Sequence, residues 1–242
     1  MEGSGLLELE CVTSTQDVAR ERVLAGDRGF LGVRANFQTA GRGRLGREWH
    51  AEPGLCLLVS YVLRGADCTP PMAHSLAFVA GVAVAQTISA VAGGSPSLKW
   101  PNDVLLAGRK VAGVLIETLA PHGEPVAIVG IGVNVNALPV APELASTAAS
   151  LREVTGEVWD IRALEARLRD TLCRVRQNAV ERGWSWLLDE WRMYDATAGR
   201  RYVVELGGAP VACVATGIAP DGSLQVWCGE RQWTTFAATA VP

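Results

Sequence analysis

With 242 residues, 49% of them hydrophobic, and a formal net charge of −3, the chain can fill the core of one ordinary domain with a small appendage, which excludes an intrinsically disordered polypeptide. Its mild acidity excludes a sequence-independent electrostatic hold on nucleic acid. The acidic start, MEGSGLLELE, lacks a basic stretch followed by an apolar one, so no secretory signal is read there and a cytoplasmic location is expected.

In chain order, Ser14 or Thr15 caps a helix running to about Ala25, with Asp17 in its first turn and Gly26 at its end. A strand over 31–37 leads into a Gly/Arg loop at 41–47, and a second strand covers 55–63. Pro70-Pro71 introduces a helix over 72–92 that stops at Gly93-Gly94. Its stretch 76–92 is Ala/Val-rich but broken by Gln86 and Ser89, short of the roughly 20 apolar residues a spanning helix needs. It reads as a buried helix, and no membrane partner is expected. Strands follow around 97–100, 103–107, 110–119 and 126–136, and Pro139 and Pro142 mark a loop. Asp160 caps a helix whose Ile161, Leu164, Leu168, Leu172 and Val175 keep helical spacing. A Trp-rich helix covers about 184–195. After Ala198 short runs at 202–206, 211–216, 223–228 and 231–236 alternate with Gly207-Gly208, Asp221-Gly222 and Gly229, the rhythm of a small all-β barrel. The expected fold is α+β: a mixed β-sheet with helices on one side over 1–196, and a small C-terminal barrel over 197–242.

The six cysteines (Cys11, Cys56, Cys68, Cys173, Cys213, Cys228) contain no CxxC pair, and His50, His74 and His122 are scattered. This spacing argues against zinc. Without a secretory signal the thiols are expected to be reduced, with Cys11, Cys56 and Cys228 acting as small hydrophobes in strands.

Residues 99–117, KWPNDVLLAGRKVAGVLIE, carry the most chemistry. Lys99 closes a strand that Pro101 stops, Asp103 lies just past the Asn102-Asp103 turn, and Lys110 returns on the partner strand after Ala107-Gly108. An ammonium fixed beside a carboxylate suits work on phosphates and carboxylates. A plain hairpin with two solvated lysines is the alternative. Gly41-Arg-Gly-Arg-Leu-Gly46 matches the dinucleotide fingerprint in letters, but Arg47-Glu48-Trp49 and then Pro53-Gly54 follow it. No helix begins there to hold a pyrophosphate, so that reading is set aside. The loop instead offers three arginine forks, Arg42, Arg44 and Arg47, on a backbone its glycines let approach a ligand. A solvated basic turn is the bland alternative.

Together with Ser14-Thr15-Gln16, the segments QTAGRGRLGREW (38–49), KWPND (99–103) and GIGVNVN (130–136), in this order, resemble the biotin protein ligases (biotin–acetyl-CoA-carboxylase ligases), strongly over about 8–136. The resemblance implies a class II synthetase-like catalytic domain with an SH3-like C-terminal barrel. It implies ATP-dependent formation of biotinoyl-AMP, then transfer of biotin to a lysine of a biotin carboxyl carrier protein, with Mg²⁺ accompanying ATP. Lys99, Arg42 and Arg44 take the catalytic roles. Ser14, Thr15, Gln16, Gln38, Arg42, Gly43, Arg44, Lys99 and Gly113 line the biotin site. Arg47, Trp49, Asn102, Lys110 and Asn134 line the nucleotide site, and Asp103 is the candidate Mg²⁺ ligand. Many members have Asn where Gln16 stands. Capping by Ser14, a turn role for Asn134 and a core role for Trp49 stay open beside these assignments. Barely ten residues precede Ser14-Thr15, so a monofunctional form without a DNA-binding domain is expected; a homodimer is left open. A lipoate or octanoyl transferase of the same fold lacks its Arg-Arg…Gly-Gly-Gly and His-Asp patterns here. A catalytically idle biotin or adenylate binder is disfavoured by Lys99, Arg42 and Arg44.

Overall fold

The computed structural model describes residues 6–139, 144 and 146–241; Pro142 and the first five residues lie outside them. The first sheet has seven strands. In spatial order they are β1 (Leu6–Val12), β2 (Gly32–Gln38), β3 (Cys56–Arg64), β7 (Val126–Asn134), β6 (Arg109–Leu119), β5 (Asp103–Leu106) and β4 (Ser97–Lys99). The β1–β2 pair is parallel and the others antiparallel, so the sheet is mixed, as expected.

Central strand β7 reads VAIVGIGVN, apolar or glycine up to its last residue. Such a run buries both faces. Val129, Ile131 and Val133, with Leu57, Val59 and Tyr61 of β3, meet α2 (Ala73–Ala92), α4 (Ile161–Arg182) and α5 (Trp184–Arg192). Val126, Ile128 and Val62 belong to the opposite side, where Ala19 and Val23 of α1 (Thr15–Leu24) cover them. The expectation of helices on one side is therefore corrected: α1 takes the second face because the central strands present apolar residues on both. Helix α2 is long and apolar enough to cross a membrane, but two thirds of its most apolar window (67%) is buried in the core. Phe78 stacks on Trp191 of α5 with centroids 4.0 Å apart. A short α3 (Leu151–Thr155), capped by Ser150, was not signalled by periodicity because five residues carry too little of it.

Five C-terminal strands form a second sheet: β8 (Arg201–Leu206), β9 (Ala209–Ile218), β10 (Leu224–Cys228), β11 (Arg231–Thr235) and β12 (Ala238–Ala240), ordered β11-β10-β9-β8-β12. All pairs are antiparallel. The sheet is open where a closed barrel was expected: β11 pairs with β10, the three-residue β12 pairs with β8, and the two edges do not meet. Its Tyr202, Val204, Ala215, Leu224 and Val226 join the same apolar core as α2. Cys213 and Cys228, expected reduced, form a cross-strand disulfide with Cα atoms 4.5 Å apart. Cys11, expected as a small hydrophobe in a strand, lies in β1 with its side chain exposed.

Candidate active site

The start of α1 supplies one wall of a cavity of about 430 Å³. Ser14 is extended (φ −154°) and its Oγ accepts the Gln16 N–H, so it caps the helix. Thr15 donates from both its backbone N–H (2.7 Å) and Oγ1 (3.0 Å) to Gln38 Oε1, and accepts from Ser60 Oγ at 2.8 Å. Saturating the Gln38 carbonyl fixes its amide nitrogen toward Gly41, where a Cβ would sit 3.1 Å from it. Gln16 is buried against Gly130, and its Oε1 has no partner.

The Gly/Arg loop closes on itself. Arg42 bridges Glu48, Gly43 N–H donates to the Arg47 carbonyl at 2.7 Å, and Trp49 N–H donates to the Gly41 carbonyl at 2.9 Å. A single 3₁₀ turn, Arg44–Gly46, stands where a dinucleotide fold would start a helix. At its tip Leu45 takes φ +58° with 71% exposure, a backbone strain of the kind that clusters at active sites, ligand clamps and switch regions. The arginines divide. Arg42 pairs with Asp17 of α1 (2.8 Å) and Glu117 of β6 (3.3 Å). Arg44 reaches Asn102 Oδ1 at 3.5 Å, and burial lowers its pKa against the pull of Asp103. Arg47 lines the cavity beside them.

Opposite the loop, Asp103 gathers both lysines. Its Oδ2 lies 2.9 Å from Lys99 Nζ and its Oδ1 lies 2.6 Å from Lys110 Nζ. Burial alone would raise the Asp103 pKa, but the Lys110 and Lys99 ammoniums outweigh it and hold the carboxyl below its ordinary range. The register explains the meeting: Lys99 faces Asp103 across β4–β5, and a bulge between Val104 and Leu105 brings Lys110 of β6 to the same side. Lys99 is 18% exposed and Lys110 36%, so Lys110 has the freer approach to a ligand. Asn102 anchors the turn by donating to the Val114 carbonyl. Both Asp103 oxygens are paired with ammoniums, so a Mg²⁺ ion on this carboxylate would have to displace one of the two lysines.

Trp49 lies flat on the sheet. A Cβ on Gly132 would fall 2.4 Å from its indole, and one on Gly113 would meet Trp49 and Lys110 at 3.1 and 3.2 Å. Gly113 was expected to make room for a ligand; in this structure it makes room for these two side chains. Lys110 sits over the ring at 5.5 Å. Asn134 donates to the Ala149 carbonyl at 3.1 Å, leaving Oδ1 without a partner. Three of the four buried side-chain atoms without partners among the described residues, Gln16 Oε1, Trp49 Nε1 and Asn134 Oδ1, therefore line one cavity. Buried polar atoms are rarely left bare, so these mark positions a ligand would satisfy.

Sequence reasoning missed part of the lining. Thr147 and Ala149 clasp Lys110, accepting from and donating to its backbone at 2.8 Å. Arg200 and residues 238–241 close the far side. Neither segment carries a local signal, since both come to the site by long-range packing.

The model of the Biotin/lipoate A/B protein ligase family matches residues 8–136, the span holding the helix start, the Arg loop, both lysines and Asn134. The chain belongs to that family. It is 32% identical over 250 residues to the biotin--[acetyl-CoA-carboxylase] ligase of Mycobacterium tuberculosis, covering 99% of this chain and 90% of that one. It is 39% identical over 163 residues to the bifunctional ligase/repressor BirA of Bacillus spizizenii, covering 65% of this chain and 49% of that one. The chain thus spans about half the length of the first curated relatives it matches. Among solved structures, the biotin protein ligase of Aquifex aeolicus in complex with biotin and ATP superposes with a TM-score of 0.82 at 25% identity, covering 98% and 99% of the two chains. The Arg loop and lysine cluster lie inside the family match, while the whole C-terminal sheet lies beyond it.

Proposed function

We propose that this family member is a biotin protein ligase. It would join biotin and ATP into biotinoyl-AMP and pass the biotinoyl group to a lysine of a biotin carboxyl carrier protein. The observation that carries this reading is one cavity with a neutral polar end and a cationic end. Gln16, Thr15 and Gln38 form the first; Arg44, Lys99 and Lys110 around the lone Asp103 form the second. A ring with N–H and C=O groups on an acidic tail suits the first end, and phosphate suits the second.

In the first step a biotin carboxylate oxygen attacks the α-phosphorus of ATP; the new O–P bond forms as pyrophosphate leaves. Bringing two anions together is the obstacle, so catalysis is positioning and charge stabilisation. Lys110, the more accessible ammonium, takes the bridging position between carboxylate and phosphate, and Lys99 neutralises charge behind it while keeping Asp103 turned toward both. Arg44 holds the phosphate of the mixed anhydride. Gly43 and the backbone around Arg42 close over it, with Arg42 acting as a strut to Asp17 and Glu117. Asn134 Oδ1 accepts the amino group of adenine, and Trp49, Asn102 and Arg47 border the nucleotide. In the second step a neutral acceptor amine attacks the biotinoyl carbonyl, AMP leaves with the bonding pair, and the amine loses its proton. Mg²⁺ would reach the site on ATP phosphates, not on Asp103. The proposed catalytic unit is 1–196, with 197–242 as a supporting sheet, and the working location is the cytoplasm. Incubation with biotin, ATP, Mg²⁺ and an apo carrier domain should add one biotin to one carrier lysine, read by mass spectrometry. An unmodified carrier in the presence of accumulated biotinoyl-AMP would contradict the transfer step alone.

A further inference from the structure

Strand β4 is three residues long and lies at the edge of the main sheet. It pairs with β5 only at Ser97, Leu98 and Lys99, a thin hold on a lysine that must keep one position. Its outer edge is held instead by the chain that enters the C-terminal sheet: Leu98 N–H donates to the Tyr194 carbonyl at 2.7 Å, and Ala196 N–H donates to the Leu98 carbonyl at 2.8 Å. Trp100, the next residue after Lys99, spends every polar group it has on that same part of the chain. Its backbone N–H donates to Thr197 Oγ1 at 3.0 Å, its carbonyl accepts from Tyr202 O–H at 2.9 Å, and its indole N–H donates to the Gly222 carbonyl at 3.0 Å. Trp100, Thr197 and Tyr202 are 2%, 0% and 0% exposed, so water cannot replace these partners. The Tyr202 ring also meets the Trp100 indole edge-on, centroids 6.2 Å apart. Gly222 can serve only as glycine: φ is +86°, and a Cβ would meet Trp184 at 2.7 Å.

We propose that Tyr202, with Thr197 and Gly222, is a positioning residue of the C-terminal sheet that sets the lysine cluster through Trp100. Trp100-Pro101 is the link between Lys99 and the turn to Asp103, so fixing the Trp100 carbonyl fixes the angle at which Lys99 meets Asp103. Asp103 in turn orients Lys110. Tyr202, Thr197 and Gly222 therefore take part in the chemistry without lining the cavity. The kinetic arm of this inference rests on the adenylating activity proposed above.

Tyr202→Phe keeps the ring and removes only the hydroxyl. We expect kcat for adenylate formation to fall about tenfold, the size of one lost buried hydrogen bond, with the KM for biotin and for ATP within about twofold of wild type. Val226→Ala in β10, buried in the same sheet but making no hydrogen bond to Trp100, is the control for a general loss of stability and should leave kcat unchanged. Amide hydrogen exchange supplies a readout free of activity: Tyr202→Phe should speed exchange across 97–106 and spare β2 and β3, whereas Val226→Ala should not affect 97–106. Equal kcat in Tyr202→Phe and wild type, an equal fall in Val226→Ala, or unchanged protection over 97–106 overturns the positioning role. A wild-type protein without adenylating activity overturns the function proposed above, and the exchange comparison then decides the positioning role by itself.

Discussion

At the scale of single residues, the account turns on one carboxylate shared by two ammoniums. Lys110→Ala should abolish most adenylate formation, by the two to three orders of magnitude that an oxyanion-type contact is worth, roughly. Lys99→Ala should lose less, because Lys99 is the more deeply placed of the two; the ratio of their initial rates checks the division. Asp103→Asn leaves two ammoniums facing each other without a counter-charge. It should cost up to about 3 kcal/mol, the low end for a broken buried pair because Lys110 is partly solvated. The sign of its pH dependence follows from the depressed Asp103 pKa. A carboxylate held below its unfolded value of about 3.9 stabilises fully above that pH and loses the contribution as pH falls through the folded value. The urea-midpoint gap between wild type and Asp103→Asn should thus be constant from about pH 5 to 8 and shrink below about pH 4. Arg44→Gly should still make the adenylate but release it about ten- to a hundredfold faster, the loss of one charged hydrogen bond at roughly 1.5–3 kcal/mol. Biotin on a bystander such as serum albumin would report the escape; release at the wild-type rate would remove Arg44 from that role.

At the scale of elements, the glycines of β6 and β7 hold Trp49 against the sheet. Gly132→Ala places a methyl 2.4 Å from the indole, so Trp49 must lift off. The variant should lose about 1–3 kcal/mol by overpacking and weaken ATP binding more than biotin binding, measured by titration calorimetry with each ligand. Most of this architecture is legible in sequence where the signal is local. Capping by Ser14 and the Ala107-Gly108 turn (φ +50° and +77°) both appear as read. Lys99, Asp103 and Lys110 do meet, since turn chemistry and register bring them to one side. What was not legible depends on partners far along the chain. The second covered face of the sheet needs α1 to cross over it, and the open C-terminal sheet needs the short β12, whose three residues carry no pattern. The role of Gly113 could not be read because a strand glycine announces a close approach without saying whose.

At the scale of the whole molecule, the two sheets share one core and meet at Trp100, whose partner Gly222 is 122 residues away. No local periodicity announces a contact of that span. The cavity is completed by both, with the helix start, the Arg loop and β6 on one side and residues 238–241 on the other. The central claim is that this cavity joins a biotin carboxylate to the α-phosphate of ATP. The measurement that tests it most directly is incorporation of labelled pyrophosphate into ATP, with Mg²⁺ present, in parallel reactions holding biotin, lipoate or neither. The account predicts exchange that requires biotin and nearly vanishes in Lys110→Ala. Exchange supported by lipoate and not biotin, or none with any acid by a folded protein, would contradict it.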